Sequence, residues 1–215
     1  MRVRHVIESA GGGSGQVVID LVGYGLRQGD AVTVVYAPER AAPNFIAALE
    51  SMPAVRIHKT SMRRAVGLHD IADAWNLWRT LRRSGPFDIV HSHSSKAGAL
   101  ARLTGLLLWP RPAQIYTPHA FVTLAPDASR IYKPLERILS WCGDRIIALS
   151  SVEARHARDV IGIAARKLAV VPNGIALDDS ADRATARRKL GWQDDAFIVG
   201  VVGRLIEEVP RTHVG

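Results

Sequence analysis

Three short stretches combine residue types able to handle an anion or a proton. The run His91-Ser92-His93-Ser94-Ser95-Lys96-Ala97-Gly98 sets two imidazoles two residues apart, with a lysine following. Strand alternation would place His91 and His93 on one face and Ser92 on the other. Such a pair can ligate a metal, but no cysteine or carboxylate lies within the run, so no metal is assigned. The alternatives for it are a hydrogen-bonded histidine in a cleft and a buried packing histidine. Lys96 suits a phosphate or carboxylate, or is a solvated lysine. In Thr117-Pro118-His119-Ala120-Phe121 the imidazole of His119 can accept or donate a proton near neutral pH, or simply pack. The run Gly11-Gly12-Gly13-Ser14-Gly15 lets backbone N–H groups approach an anion at a helix start; a plain tight turn is the competing reading. Its spacing is not that of a P-loop. A dinucleotide fingerprint fails too: Gln16 stands where the third glycine belongs, and Tyr36-Ala37-Pro38 where an acidic residue should end the second strand.

These stretches fall between alternating strands and helices. Val3–Ile7, Ala31–Tyr36, Val55–His58, Asp88–Ser92, Ala113–Thr117, Arg145–Leu149 and Leu168–Val171 read as short strands. Helical periodicity marks Gln16–Gln28, Phe45–Leu49, His69–Arg83, Lys96–Leu108, Arg130–Trp141 and Ser151–Val160, the last capped by Ser150 or Ser151. Ile71, Trp75, Trp78 and Leu81 are spaced for one buried helix face. Such alternation means an α/β fold with a doubly wound parallel sheet covered on both sides. Ligands of such sheets bind beyond the carboxyl ends of the strands. The loops to watch are therefore 8–15, 91–96, 117–123 and 149–152. Past Pro172-Asn173-Gly174 a charged helix over 181–190 and an apolar strand over 196–202 read as a fragment of a second α/β domain. The expected division is residues 1–174 and 175–215.

The chain has 215 residues and a formal net charge of +8, with 47% hydrophobic and 22% charged residues. That is globular composition, against disorder or fibrous repeats. The single cysteine, Cys142, rules out an internal disulfide and a cysteine-cluster metal site. No apolar run is long enough to span a bilayer, and Glu8 interrupts the N-terminal stretch, against a signal peptide. The positive charge is spread along the chain. It suits anionic lipid or phosphorylated small molecules, and without helix-turn-helix, RNP or zinc spacing no nucleic acid partner is expected. Arg130, Lys133 and Arg137 line a helix that also carries Ile131, Leu135 and Ile138, a pattern for surface packing or for lying on anionic lipid. An uncovered apolar strand after residue 196 would be an edge liability, from which dimerisation or poor solubility is expected.

Taken together, the stretches HVIESAGGGSGQVVIDL, DIVHSHSSKAGALARL, YTPHAF, DRIIALSSVEARHA, VVPNGI and VGRL resemble, in this order and spacing, the retaining glycosyltransferases of family 4. The resemblance implies the Rossmann-like N-terminal half of a GT-B fold. It implies a nucleotide-sugar donor, a lipid-linked or polysaccharide acceptor and no metal cofactor. It further implies Gly12 and Gly13 at the donor phosphates, His119 beside the donor sugar as the catalytic-site histidine, and Arg204 on the diphosphate. His93 and Lys96 would line the acceptor side. A cytoplasmic protein, peripheral at the inner membrane face, is expected.

One departure stands out. The family usually has a lysine five or six residues after the arginine, where this sequence has Val209 and Pro210, and its downstream E-x7-E motif is missing. The expectation is a truncated transferase, weak or inactive as this chain, or a non-catalytic sugar-phosphate or lipid-binding half that needs a partner donor-domain chain.

Overall fold

The structure, a computed structural model, describes residues 1–63, 66–175 and 182–201. Chain contacts divide it into two units, Met1–Asn173 and Gly174–Gly215. The first unit holds one parallel sheet. Its strands are β1 (Arg2–Ile7), β2 (Ala31–Tyr36), β3 (Arg56–Lys59), β4 (Ile89–His93), β5 (Ala113–Thr117), β6 (Arg145–Ala148) and β7 (Leu168–Val170). They lie in the order β3-β2-β1-β4-β5-β6-β7, all parallel. The winding reverses between β1 and β4, whose ends align at Ile7 and His93. That switch point opens a crevice beyond the strand ends.

Helices α1 (Gly12–Arg27) and α2 (Pro43–Glu50) cover one face. They bury Val18, Val22, Phe45 and Leu49 against Ile7, Val32, Val34 and Tyr36. Helices α3 (His69–Arg83) and α4 (Ser95–Gly105) cover the other, with Leu77, Leu81, Ala97 and Leu100 against Val6, Val35 and Val90. The period-2 strand pattern thus sends neighbouring residues of each central strand into two separate cores. Helix α5 (Tyr132–Cys142) follows β5, and α6 (Ser151–Arg155) follows β6 and continues as a π turn over His156–Ile161. A buried Arg102–Glu136 pair, 2.9 Å apart, joins α4 to α5 under the Tyr116 ring.

Several expectations need correction. Helix α1 starts at Gly12, inside the glycine run, so most of that run is helical first turn rather than loop. On α3 the buried positions are Asp73, Leu77 and Leu81, while Ile71 and Trp75 are 72% and 56% exposed. Trp75 stacks at 4.8 Å on Trp78, which is itself partly buried against the core. Spacing placed these residues near one stripe, but the contact with the sheet centres on Leu77, and the residues at the edge of the stripe face outward. In the second unit α7 (Arg183–Leu190) forms, capped by Asp182. Residues 196–201, expected as strand, are not strand: they form no strand pairing among the described residues, and Phe197, Val199 and Val201 are exposed. Arg204, Val209 and Pro210 lie outside the described residues, as does residue 202.

Candidate functional site

The carboxyl edge of β1 and β4 gathers most of the singled-out residues. After β1, Ala10 is fixed by bonds to Arg40 and Ala42, and Gly11 caps α1 with no side-chain hydrogen bond. Gly12 has a φ of +62°, which glycine adopts without the strain another residue would carry. Gly15 is excluded from other types by packing: a Cβ there would sit 2.8 Å from the Ala10 carbonyl oxygen. At Gly11 and Gly13 the space is open. Ser14 Oγ donates to the Ser9 carbonyl at 2.8 Å and so ties the turn down. No acidic residue occupies the first turn. The first-turn N–H groups and the positive dipole end therefore face an approachable space suited to an anion.

Beside this turn lies a cluster of imidazoles. His5 on β1 is the register partner of His91 on β4, and Ile7 that of His93, so His5, His91 and His93 share one face. His5 Nδ1 and His93 Nε2 face each other at 3.1 Å, and His93 Nδ1 and His119 Nε2 at 3.0 Å. His91 Nε2 meets Thr117 Oγ1 at 2.8 Å. Three rings in series accept two consistent proton orders, with every N–H pointing inward or every one outward. The innermost three are buried, and His119 is partly open to solvent. Burial pushes His5 and His119 down to about 4. Burial, reinforced by the neighbouring histidines, holds His91 and His93 well below the ordinary histidine range. All four are neutral at physiological pH, and His119 presents a hydrogen-bonding ring rather than a positive charge.

Backbone strain collects at the same edge. Among the described residues the non-glycines with positive φ are Ser94 (74°), His119 (55°) and Ala120 (82°). Each immediately follows β4 or lies just past β5. Such conformations persist only where the surroundings hold them. Here Ser94 N–H donates to the Thr117 carbonyl, and Ala120 N–H to the Glu153 carboxylate. Ser94 Oγ lies 3.5 Å from Glu8, itself buried and paired with Arg40 at 2.6 Å.

The structure brings His93 and His119 into direct contact and sets Gly12 and Gly13 beyond the adjacent strand end. Lys96 is neither solvated nor in the imidazole cluster. In the first turn of α4 and largely buried, its Nζ lies 2.5 Å from Asp70 Oδ1 on α3. Nitrogens of His5, His91 and His93 lie within 4.8 Å of one another, close enough in donor type for a metal. Two of those nitrogens already face each other in the His5–His93 bond, which a metal would have to replace. Sequence reasoning missed His5, Glu8 and Glu153. For Glu153 a signal existed: Ser150 and Glu153 have capping-box spacing, and Ser150 Oγ does accept the Glu153 N–H.

An all-parallel, doubly wound sheet, with a helix N-terminus at its switch point and a strained histidine turn past the neighbouring β5, defines a Rossmann-like fold. Solved structures share this fold. A glycosyltransferase from Rickettsia africae superposes with a TM-score of 0.71 at 14% identity, over 90% of this chain and 50% of that one. Sucrose-phosphate synthase from Thermosynechococcus elongatus gives 0.69 at 14%, over 91% and 54%. The sequence profile of Glycosyltransferase Family 4 matches residues 11–179, and the chain belongs to that family. A curated relative is the Escherichia coli UDP-Gal:alpha-D-GlcNAc-diphosphoundecaprenol alpha-1,3-galactosyltransferase, 30% identical over 64% of this chain and 37% of its own length. The D-inositol 3-phosphate glycosyltransferase of Geodermatophilus obscurus is 34% identical over 56% of this chain and 29% of its own. The match thus spans about a third of the length of these relatives.

Proposed function

We propose that the chain is the acceptor-side half of a retaining glycosyltransferase, one that moves a sugar from a nucleotide-sugar to a lipid-linked or polysaccharide acceptor in cell-envelope synthesis. The observation that carries this reading is the pairing, at one sheet edge, of the open Gly11–Gly13 turn with the His119 turn. Glycosyl transfer leaves negative charge growing on a diphosphate, and preorganised N–H groups at the α1 start stabilise such charge. Arg204 would add a cation by family resemblance. His119, kept neutral, would hydrogen-bond a donor-sugar hydroxyl, with His93 fixing its ring from behind. Lys96, locked on Asp70, would shape the acceptor side through the α3–α4 seam rather than as a loose cation. No metal is assigned a part.

Gly13→Asp tests the donor site. The position has room for a side chain, so the fold should survive, while a carboxylate there repels a diphosphate. Titration with UDP-sugars should show affinity reduced about tenfold or more; equal affinity for both proteins would refute the donor role of this turn. The alternative of a binding half completed by a separate donor-domain chain predicts that transfer appears only when such a chain is added.

Peripheral membrane contact belongs to the same reading. On α5 and the turn leading into it, Ile131, Leu135, Ile138 and Trp141 form an exposed apolar stripe, flanked by exposed Arg130, Lys133 and Arg137. Leu107 and Trp109, after α4, are exposed as well. An apolar stripe with basic flanks suits an anionic lipid surface, where a lipid-linked acceptor would be found. The Escherichia coli relative, by its name, acts on a diphosphoundecaprenol-linked sugar.

A further inference from the structure

The His119–Ala120 turn carries two successive residues with positive φ, neither of them glycine. Besides His93 on the His119 ring, a carboxylate reaches its backbone from another element. Glu153, in the first turn of α6 and buried, spends both carboxylate oxygens on backbone amides: Oε1 accepts Ala120 N–H at 3.0 Å, and Oε2 accepts Leu149 N–H at 2.6 Å. A capping-box carboxylate ordinarily returns to the amide of its own cap residue. Here the cap, Ser150, accepts the Glu153 N–H, but the carboxylate reaches one residue further back and across to the loop after β5. A buried carboxylate needs compensation. Two backbone donors and the helix N-terminus supply it, and in return the loop after β5 is bound to the end of β6.

We propose that Glu153 is a positioning residue: its carboxylate clamps the left-handed His119–Ala120 turn from the N-terminus of α6 and thereby sets the His119 imidazole on His93. The inference rests on the reading that His119 serves the donor sugar, but its geometry can be tested separately. Without the clamp, Ala120 relaxes toward negative φ, its preferred region. The His119 ring then leaves its 3.0 Å contact with His93.

The test uses the 215-residue chain labelled with ¹⁵N. Glu153→Gln keeps the shape but turns an NH₂ group toward one of the two amides. Glu153→Asp keeps the charge but lacks the reach to both. In each variant the Ala120 amide should exchange roughly 10–100-fold faster. The His119 ring nitrogens should pass from a single-tautomer pattern to an averaged one, while core amides such as Val34 and Leu77 keep their protection. Ala120→Gly placed in the Glu153→Gln background removes the strain and should restore part of the His119 pattern, which also serves if Glu153→Gln alone folds poorly. Unchanged Ala120 exchange and His119 pattern in folded variants would overturn the proposal. So would a loosening spread evenly through β5 and β6, since that is what loss of a helix cap alone produces. If the ring pattern responds but His119→Ala leaves nucleotide-sugar affinity unchanged, the positioning stands and the functional reading of His119 fails.

Discussion

Imidazoles held neutral by burial make the stability of this protein depend on pH in a defined direction. The folded-state values of His5 and His119 are about 4, against 6.5 for the ordinary group, and those of His91 and His93 are shifted the same way. Between these limits the unfolded chain binds more protons than the folded one. Stability therefore rises with pH up to about 6.5 and falls as pH drops from there toward 4. Each such histidine contributes at most about 1.4 kcal/mol per pH unit in that window. Urea titrations at pH 7.5 and pH 5 should show a clear loss at the lower pH, and His93→Gln should flatten the dependence. A stability independent of pH over this range would mean that the cluster is open to water. The same neutrality keeps His119 a hydrogen-bonding group in any reaction run near neutral pH.

Helix α3 shows how far periodicity carries at the scale of an element. Its limits, His69–Arg83, match the sequence pattern end to end. Its buried line matches only in part: Leu81 is buried and Trp78 packs against the core as expected, but the sheet beneath also takes Leu77 and leaves Ile71 and Trp75 in solvent. Leu77→Ala should cost about 2–5 kcal/mol, the usual range for a fully buried leucine. Trp75→Ala should stay within about 1 kcal/mol, since an exposed ring leaves no cavity. Denaturant unfolding of both variants checks the assignment, and a reversed ranking would contradict it. Helix α1 carries the complementary lesson. Its glycines look like a loop by composition, yet Gly12 begins the helix, because the turn before it is already closed by Ala10, Ser14 and the chain around Arg40.

For the whole molecule, the exposed apolar stripe of α5 with its basic flanks gives a test of membrane contact. Binding to phosphatidylglycerol-rich vesicles should exceed binding to phosphatidylcholine vesicles and weaken with salt. Ile138→Glu, on an exposed position, should reduce it about tenfold or more without altering the melting temperature. Equal, negligible binding to both vesicle types would remove the membrane from the proposed function. The expected dimerisation through residues 196–202 rested on an apolar strand. The described part of that segment is not a strand, though Phe197, Val199 and Val201 are exposed, and light scattering decides whether they associate.

Much of the architecture was legible because its determinants are local. The strand–helix alternation follows from hydrophobic period, the helix limits from caps and breakers, and the parallel sheet from the chirality of the crossovers. Motif order was enough to name the family, and the profile match over residues 11–179 agrees. The site was legible only in pieces. His93 and His119 stand on separate strands, and nothing in either stretch says that their rings meet; the parallel register of β4 with β5 decides that. His5 looked like an ordinary strand residue until the β1–β4 register set it opposite His91. Lys96 found Asp70, and Glu153 found Ala120, across gaps of 26 and 33 residues. In the first unit, amino-acid order by itself marks which segments become strands and helices. Which polar groups share a low-dielectric crevice, and so which are neutral, clamped or paired, is a property of distances between segments, and only the tertiary structure supplies those.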